Sequence, residues 1–548
     1  MGQLLGKLAV RFAALADVFR SPDLRRLQLA WAGFYVSEWA SFVAFSIYAY
    51  RVGGAGAIGL LGLVRMLPSA LGVVAGTALA DRTRRERVLL GIHLIRATTL
   101  GAAAVVLGMD GPEWLVFLLA ALTSVAGAAY RPSHLAIVPT LARTPQELVA
   151  TNVSASTFEG VAVLVGPALA GILLTFSGLD VVLAVSAAIA LWAALEVSRL
   201  VPGPFVPARG GGPIEDVLAG ARTLAHEPGT RLVIGLFASQ AFVRGVLNVL
   251  LVVTSFRLLD TGDSGVGFLN AAFGAGALAG GLVGLGLVGK RQLARPFAGG
   301  LVLWGTPIAL IAAWPHVLWA LLCLSVVGAG NAVLDVSGFT MIQRGIDDAV
   351  LARVFGVFEI LVVTAVGIGS IVGSLLVDQL GARSALVIAG CILPVLAAAS
   401  YRHLHRIDAT ADVPEEELKV LSAIPLFSPL PVTTLERLAG RLSTARAAAN
   451  TQLVEEGEDG DLFYVIKSGT VDVSRDGRHL ATLGPMDFFG EIALLHDTPR
   501  VATCRATTDV VLYTLERARF VSAVSGHATS AAEAESIASA RLAKNAAA

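Results

Sequence analysis

Between residues 27 and 402 the chain is a succession of apolar stretches with short breaks, each about long enough to cross a bilayer. Some 20 apolar residues in a helix span roughly 30 Å of hydrocarbon, so this succession decides what the chain folds into. The stretches run over 27–50, 54–80, 88–109, 113–137, 150–177, 180–200, 230–256, 264–288, 296–313, 316–343, 350–377 and 380–402, and they predict twelve membrane helices. Several are rich in Gly and Ala, which lets helices pack closely where lipid removes the hydrophobic drive between them. With 55% hydrophobic and 15% charged residues, the composition departs in the same direction from the roughly 45–50% and about 25% of a soluble domain.

The stretches fall into two sets of six. Between them lies VPGPFVPARGGGP followed by IEDVLAGARTLAHE, where Ile214, Val217, Leu218 and Leu224 are expected to share a helical face. This reads as a cytoplasmic linker with a surface helix over 203–228, between an N-terminal half at 25–202 and a C-terminal half at 229–402. Residues 1–24 read as an amphipathic helix on the inner membrane face, because Lys7, Arg11 and Arg20 interrupt any signal-like apolar core. A shift of 200 residues places Phe358 and Glu359 on Phe158 and Glu159, and brings Gly367 and Gly373 near Gly166 and Gly171 only if the register slips. Two parallel repeats and chance matching stand as equal readings of that trace.

Lys and Arg concentrate in cytoplasmic loops of membrane proteins. The loop DRTRRER (Asp81 to Arg87) and the segment YRHLHR after the last stretch are basic, so both termini are expected in the cytoplasm, here of a bacterial inner membrane. From residue 407 onward acidic residues outnumber basic ones 20 to 13, and the preceding part carries the opposite excess. A basic membrane part followed by an acidic soluble part gives no sign of nucleic acid binding. Cys323, Cys391 and Cys504 are too dispersed for a disulfide framework or a metal site and read as buried apolar fillers.

GTALADRTRRERVL carries Gly76, Asp81, Arg82 and Arg85 at the junction of the second and third stretches, where charge-assisted hydrogen bonds can bridge helix ends. It resembles the loop signature of the major facilitator superfamily. GVAVLVGPALAG, with Gly160, Gly166, Pro167 and Gly171, is similar to the Gly-Pro motif of that superfamily's antiporters. Residues 22–402 resemble its efflux-permease branch, which implies the twelve-helix alternating-access fold, a small-molecule substrate and export. Ionisable residues inside membrane stretches are costly and are functional candidates by default. Glu38, Arg65, His93, Arg96, Arg131, Glu159, Arg244, Asp335 and Glu359 qualify by position. Glu38 and Glu159 are the favoured proton carriers, each lacking an obvious partner on its own helix. Arg65, Arg96, Asp335 and Glu359 are further coupling or cavity candidates, and Arg131 and Asp335 also read as structural partners.

After a short linker at 403–413 the period changes. Over 414–548, short β-branched and aromatic runs are punctuated by Gly457, Gly460, Gly469, Gly477 and Gly484, which predicts a compact antiparallel β-roll with flanking helices. The full fold class is therefore a mostly α membrane protein with a C-terminal cytoplasmic β-roll. GEDGDLFYVIKSGTVDV and FFGEIALLHDTPRVAT resemble the cyclic-nucleotide-binding domain, whose phosphate-binding cassette corresponds to Gly490–Ala502. Gly490 opens a short helix, Glu491 to Leu495, whose free N–H groups favour an anion, and Arg500 adds a fixed positive fork. The resemblance implies that Glu491 accepts from the ribose 2′-hydroxyl, with Ile492, Ala493 and Ala502 completing the cassette. Val501 stands where many cGMP-preferring members carry a hydroxyl, which favours cAMP over cGMP. For the base cap, Ile537, Arg541 and Leu542 are the candidates. The acidic run EEGEDGD does not match a calcium loop, and no metal or further cofactor is expected.

The economical expectation is a proton-coupled exporter of a lipophilic or amphiphilic molecule, regulated by cytoplasmic cAMP. Two alternatives stand beside it: a membrane-anchored nucleotide sensor whose helices do not transport, and an exporter of the nucleotide itself. No triphosphate-binding loop, nucleophile elbow or metal cluster points to an enzyme. Oligomeric state is left open.

Overall fold

The computed structural model describes residues 19–141, 145–200, 213–284, 292–346, 348–410, 415–430, 432–525 and 528–547. The expected amphipathic segment before residue 19 and the start of the linker lie outside them. The chain divides into two compact units, Met1–Ile407 and Asp408–Ala548.

Among the described residues the regular structure of the first unit is all helix. Its elements are α1 (Pro22–Arg82), α2 (Arg85–Gly108), α3 (Glu113–Ala128), α4 (Tyr130–Leu141), α5 (Pro145–Phe176), α6 (Leu179–Ser198), α7 (Pro213–His226), α8 (Pro228–Arg257), α9 (Gly262–Gly284), α10 (Ala294–Ala313), α11 (Val317–Gly345) and α12 (Asp348–Thr410). Ten helices among the described residues are long and apolar enough to cross a membrane, α3 and α4 counting together as one. The first and last are each two passages joined without a loop. α1 turns at Gly53 and Gly54, the latter at φ 61°, ψ −149°, and α12 turns at Gly381, at φ 79°, ψ 164°. Only glycine enters these regions cheaply. The two bends turn ten helices into the twelve passages the sequence predicts.

Glycines set how closely the passages approach. A Cβ on Gly166 of α5 would strike Trp39 and Val36 of the first passage, and one on Gly373 of α12 would strike Val246 of α8, the seventh. Between the halves, α5 meets α9 where a Cβ on Gly267 would come within 2.5 Å of Gly171, and the second passage meets α12 where Gly59 and Gly62 face Ser374 and Ser370. Exchanging the two halves exchanges these contacts, fifth-on-eighth for eleventh-on-second. The halves are therefore spatial repeats, a relation that the sequence shows only as a faint trace.

Three local expectations need correction. Leu218 is exposed while Leu224 is buried, so they do not share one buried face of α7; the side chains of Ile214 and Val217 lie outside the described residues. Cys391 is exposed, unlike Cys323 and Cys504, because it sits on an outward face of α12. The helix of the last passage continues to Thr410 through the segment expected to be a linker, since nothing in YRHLHRIDAT breaks a helix.

The second unit begins with α13 (Glu415–Ala423) and α14 (Val432–Ala439), followed by β1 (Ser443–Ala447), β2 (Gln452–Val454), β3 (Leu462–Ser468), β4 (Val471–Arg475), β5 (Arg478–Leu483) and β6 (Phe488–Phe489). Then come α15 (Glu491–His496), β7 (Thr503–Ala506), β8 (Val510–Glu516), α16 (Arg517–Ser525) and α17 (Ala528–Ala547). Two four-stranded antiparallel sheets form, ordered β1-β8-β3-β6 and β2-β7-β4-β5. Val454, Ile466, Val471, Cys504 and Leu512 fill the space between the sheets. On the helical side Phe427, Phe463 and Phe520 form a second core, Phe463 stacking on Phe520 at 4.6 Å. Of the five glycines expected at turns, Gly457, Gly469 and Gly477 take positive φ; Gly460 does not, and matters for another reason.

Candidate nucleotide pocket and transport interior

β6 delivers the chain into Gly490, whose φ of 90° redirects it into α15. α15 runs from Glu491 to His496, one residue beyond its expected end. Above it lies a cavity of about 280 Å³ lined by Gly490, Glu491, Ile492, Ala493, Arg500, Val501 and Ala502, with Val473, Leu480, Ala481 and Leu483 of the β4–β5 hairpin opposite. The structure thus brings all seven expected cassette residues to one concavity.

Arg500 is only 6% exposed. It donates through Nη1 to the Gly490 carbonyl at 3.0 Å and through Nη2 to the Leu462 carbonyl at 2.7 Å. A Cβ on Gly460 would collide with the guanidinium, so Gly460 serves close approach rather than a turn. Two N–H groups are thus fixed and the rest of the fork stays available to an anion. Glu491 is 1% exposed. Its Oε1 accepts from Arg541 of α17 at 2.8 Å, and Arg541 also donates to the Phe488 carbonyl and lies 4.4 Å over the Phe488 ring. The sequence offers Arg541 only as one of three cap candidates; the structure places it at the carboxylate, and packs Ile537 against the hydrophobic core. Cys504 also lines the cavity, and burial pushes its thiol up to about 12. Chemically the cavity joins an anion-binding fork, a buried carboxylate able to accept hydroxyl groups, and an apolar wall suited to a flat ring.

In the first unit, both oxygens of Glu38 are occupied. Arg65 donates to one at 3.0 Å and Arg96 to the other at 2.5 Å, while Arg65 also donates to Ser124. Arg96 lies 4.5 Å over Phe34, and Gly127 leaves it room. Glu38 thus has two partners from neighbouring passages, which a search along its own helix misses. Glu159 pairs with Arg131 at 3.3 Å. Asp335 accepts from Asn331 at 2.7 Å, so Arg131 and Asp335 are not direct partners. Arg244 sits near the rings of Trp39 and Phe273, and Glu359 is exposed. His93 is buried, 3.3 Å from the Tyr130 hydroxyl.

At one end of this unit the halves are joined. Arg51 pairs with Asp263, Arg257 donates to the Tyr50 hydroxyl at 3.1 Å, and Tyr50 packs on Phe256. In the loop motif, Arg85, at the start of α2, donates to the Ala136 carbonyl within α4 at 2.7 Å; the side chains of Gly76, Asp81 and Arg82 lie outside the described residues. Gly160, with Gly166, Pro167 and Gly171, lines the α5 face turned to α1 and α9.

The sequence model described as Major Facilitator Superfamily matches residues 29–256 and 232–449. The chain belongs to this superfamily. The model described as Cyclic nucleotide-binding domain matches residues 445–527, so this superfamily member is a transporter carrying a C-terminal nucleotide-binding domain. It is 24% identical over 378 residues to Macrolide efflux protein A of Streptococcus pyogenes, covering 67% of this chain and 93% of that protein. Over 162 residues it is 34% identical to a cAMP-dependent protein kinase regulatory subunit of Yarrowia lipolytica, covering 29% of this chain and 43% of the relative. The chain thus spans less than half of the kinase subunit it matches. The solved nucleoside transporter NupG superposes with a TM-score of 0.59 at 15% identity, over 70% of this chain and 99% of that one, which shows a shared fold. Neither matched family is a catalytic one.

Proposed function

We propose that this superfamily member is a proton-coupled exporter of lipophilic or amphiphilic molecules whose alternating access is biased by cAMP bound to its C-terminal domain. The observation that carries the reading is the coexistence of two intact sites in one chain. One is a cavity where Arg500 and Glu491 converge with an apolar wall. The other is a two-half helical unit holding carboxylates paired with guanidiniums within its apolar passages.

In the cavity, a cyclic phosphate would take the free N–H groups of Arg500 and of the α15 start, and Glu491 would accept from the ribose hydroxyl. The hairpin wall of Val473, Leu480, Ala481 and Leu483 suits a purine face, and Val501 offers guanine no hydroxyl, which favours cAMP. The efflux relative supports export and a bulky amphiphilic cargo. The basic loop around Arg84, Arg85 and Arg87 supports a cytoplasmic face for the termini and the nucleotide domain. Nucleotide must bind one transport state better than the other; a coupling of about 1–3 kcal/mol changes state populations roughly 5–150-fold. A non-transporting anchor would need neither the Gly-Pro packing of α5 nor the buried ion pairs.

The test is transport in proteoliposomes. A macrolide probe should be expelled under a proton gradient, and cAMP on the side of the nucleotide domain should change the rate. Transport that ignores both the gradient and cAMP would sink the reading.

A further inference from the structure

Two guanidiniums share one carboxylate inside the first half. Glu38 accepts from Arg65 at 3.0 Å through one oxygen and from Arg96 at 2.5 Å through the other. No second carboxylate lies within ion-pair distance of either cation among the described residues. The cluster therefore carries one positive charge in excess, which is costly inside a membrane unit. Arg65 is 1% exposed and Arg96 is fully buried. Arg65 Nε donates to Ser124, but its Nη1 has no hydrogen-bond partner among the described residues, and neither have Nε and Nη2 of Arg96. A buried guanidinium with unused N–H groups and an uncancelled charge calls for an anion.

Arg65 lines a cavity of about 20 Å³ that both halves enclose. The first half contributes Arg65, Ser46 and Ile58, the second Asn248, Val366 and Ser370, and no carboxylate lines it. Ser46 donates to the Phe42 carbonyl and Ser370 to those of Gly245 and Val366, so both hydroxyl hydrogens are used. The side-chain amide of Asn248 makes no hydrogen bond among the described residues. The two free donors, Arg65 and Asn248, thus belong to opposite halves. A single water needs about 10–15 Å³ and a drug-sized ligand roughly 300 Å³ or more, so the cavity fits one small ion and no amphiphilic cargo. Ser46 lies about one turn from Tyr50, and Asn248 roughly two to three turns from Arg257. The cavity therefore sits just inward of the end where Tyr50 and Arg51 meet Arg257 and Asp263.

We propose that this cavity is a binding site for one small monovalent anion, chloride, held by Arg65 of the first half and Asn248 of the second. The anion cancels the excess charge of the Glu38–Arg65–Arg96 cluster, and the apolar wall of Ile58 and Val366 suits a spherical halide. A water molecule would satisfy the N–H groups but would leave the charge standing. When the halves separate at the Arg51–Asp263 end, the two donors move apart, so the site is complete only while that end is joined. By linkage, the anion favours the joined state. The site itself is independent of the transport reading above, whereas its effect on the state of the halves rests on that reading.

The test uses the full chain in lipid nanodiscs, exchanged into gluconate, an anion too large for the cavity. Calorimetric titration with chloride, with cAMP present to occupy the Arg500 fork, should show one saturable site per chain. Asn248→Asp puts a carboxylate beside Arg65 and should weaken chloride binding roughly tenfold or more. Arg65→Gln, which leaves Glu38 its Arg96 partner, should do the same. With native cysteines replaced, spin labels at Asp110→Cys and His316→Cys, exposed positions of the two halves, report the state. Chloride should raise the short-distance population roughly fivefold or more over gluconate, and Asn248→Asp should hold that population in gluconate alone. Chloride binding unchanged in both variants would overturn the site. Binding lost in the variants, with a distance distribution that chloride never moves, would overturn the link to the joined state. If pH and a macrolide probe also leave the distribution unmoved, the transport reading falls with that link, while the calorimetric site stands.

Discussion

Arg541 and Glu491, fifty residues apart, meet at 2.8 Å beside the nucleotide cavity and tie the last helix to the start of the cassette helix. Glu491 is almost wholly buried, and Arg541 is about one-third exposed at 32%. Removing one member of a buried pair costs about 3–5 kcal/mol, and solvent at Arg541 reduces this to roughly 1–3 kcal/mol. Arg541→Ala should therefore accelerate amide exchange in α15 and α17 by roughly 5–150-fold in the full chain. Adding Glu491→Gln should cost less than the sum of the two changes.

Arg500→Ala should weaken cAMP binding by roughly tenfold to a few hundredfold in titration calorimetry, since hydrogen bonds to a charged group contribute about 1.5–3 kcal/mol each. Arg500→Lys should recover little, because an ammonium cannot reach the Gly490 and Leu462 carbonyls and a phosphate as one planar fork. Unchanged affinity in Arg500→Ala would mean that the anion binds elsewhere.

Val501→Thr adds a hydroxyl at the cavity wall. Competition binding should show cGMP affinity rising by roughly 2–10-fold, the contribution of about 0.5–1.5 kcal/mol from one neutral hydrogen bond. A cGMP affinity that does not move would place the guanine edge away from residue 501.

Cys504 lines the cavity with its thiol pushed up to about 12 by burial. The sign is that of an acid kept neutral, so at pH 8 only about one thiol in ten thousand is ionised, against roughly a quarter for a free cysteine near 8.5. Iodoacetamide labelling read by mass spectrometry should be slow in the folded chain and fast after unfolding. Its rate should rise about tenfold per pH unit up to about pH 12. Labelling of Cys504 at the same rate in folded and unfolded chain would contradict the buried placement.

Gly267 faces Gly171 across the two halves with no room for a Cβ. Gly267→Val should destabilise this packing by roughly 1–3 kcal/mol and move the population toward separation at the Arg51–Asp263 end. Distances between spin labels at Asp110→Cys and His316→Cys, across that end, would show it, and an unchanged distribution would contradict the role given to this packing.

The helical unit was legible because lipid-spanning length leaves few alternatives: twelve apolar stretches became twelve passages. The cassette was legible for a different reason, since Gly490, Glu491 and Arg500 lie within eleven consecutive residues and their chemistry is local. What depended on distant chain segments was not legible. Glu38 draws Arg65 and Arg96 from separate passages, Gly460 makes room for Arg500 forty residues on, and Leu218 points outward because neighbours rather than period decide its environment. Arg541 was only one of three cap candidates, since nothing nearby in sequence reveals that α17 folds back onto Glu491.

The central claim is that nucleotide occupancy biases the two transport states. The direct measurement is the distance distribution between labels at 110 and 316 in the full chain, titrated with cAMP at fixed pH. The account predicts a change in the ratio of the two populations of roughly 5–150-fold, saturating with the calorimetric binding curve and absent in Arg500→Ala. Stoichiometric cAMP binding with an unmoved distribution would contradict it.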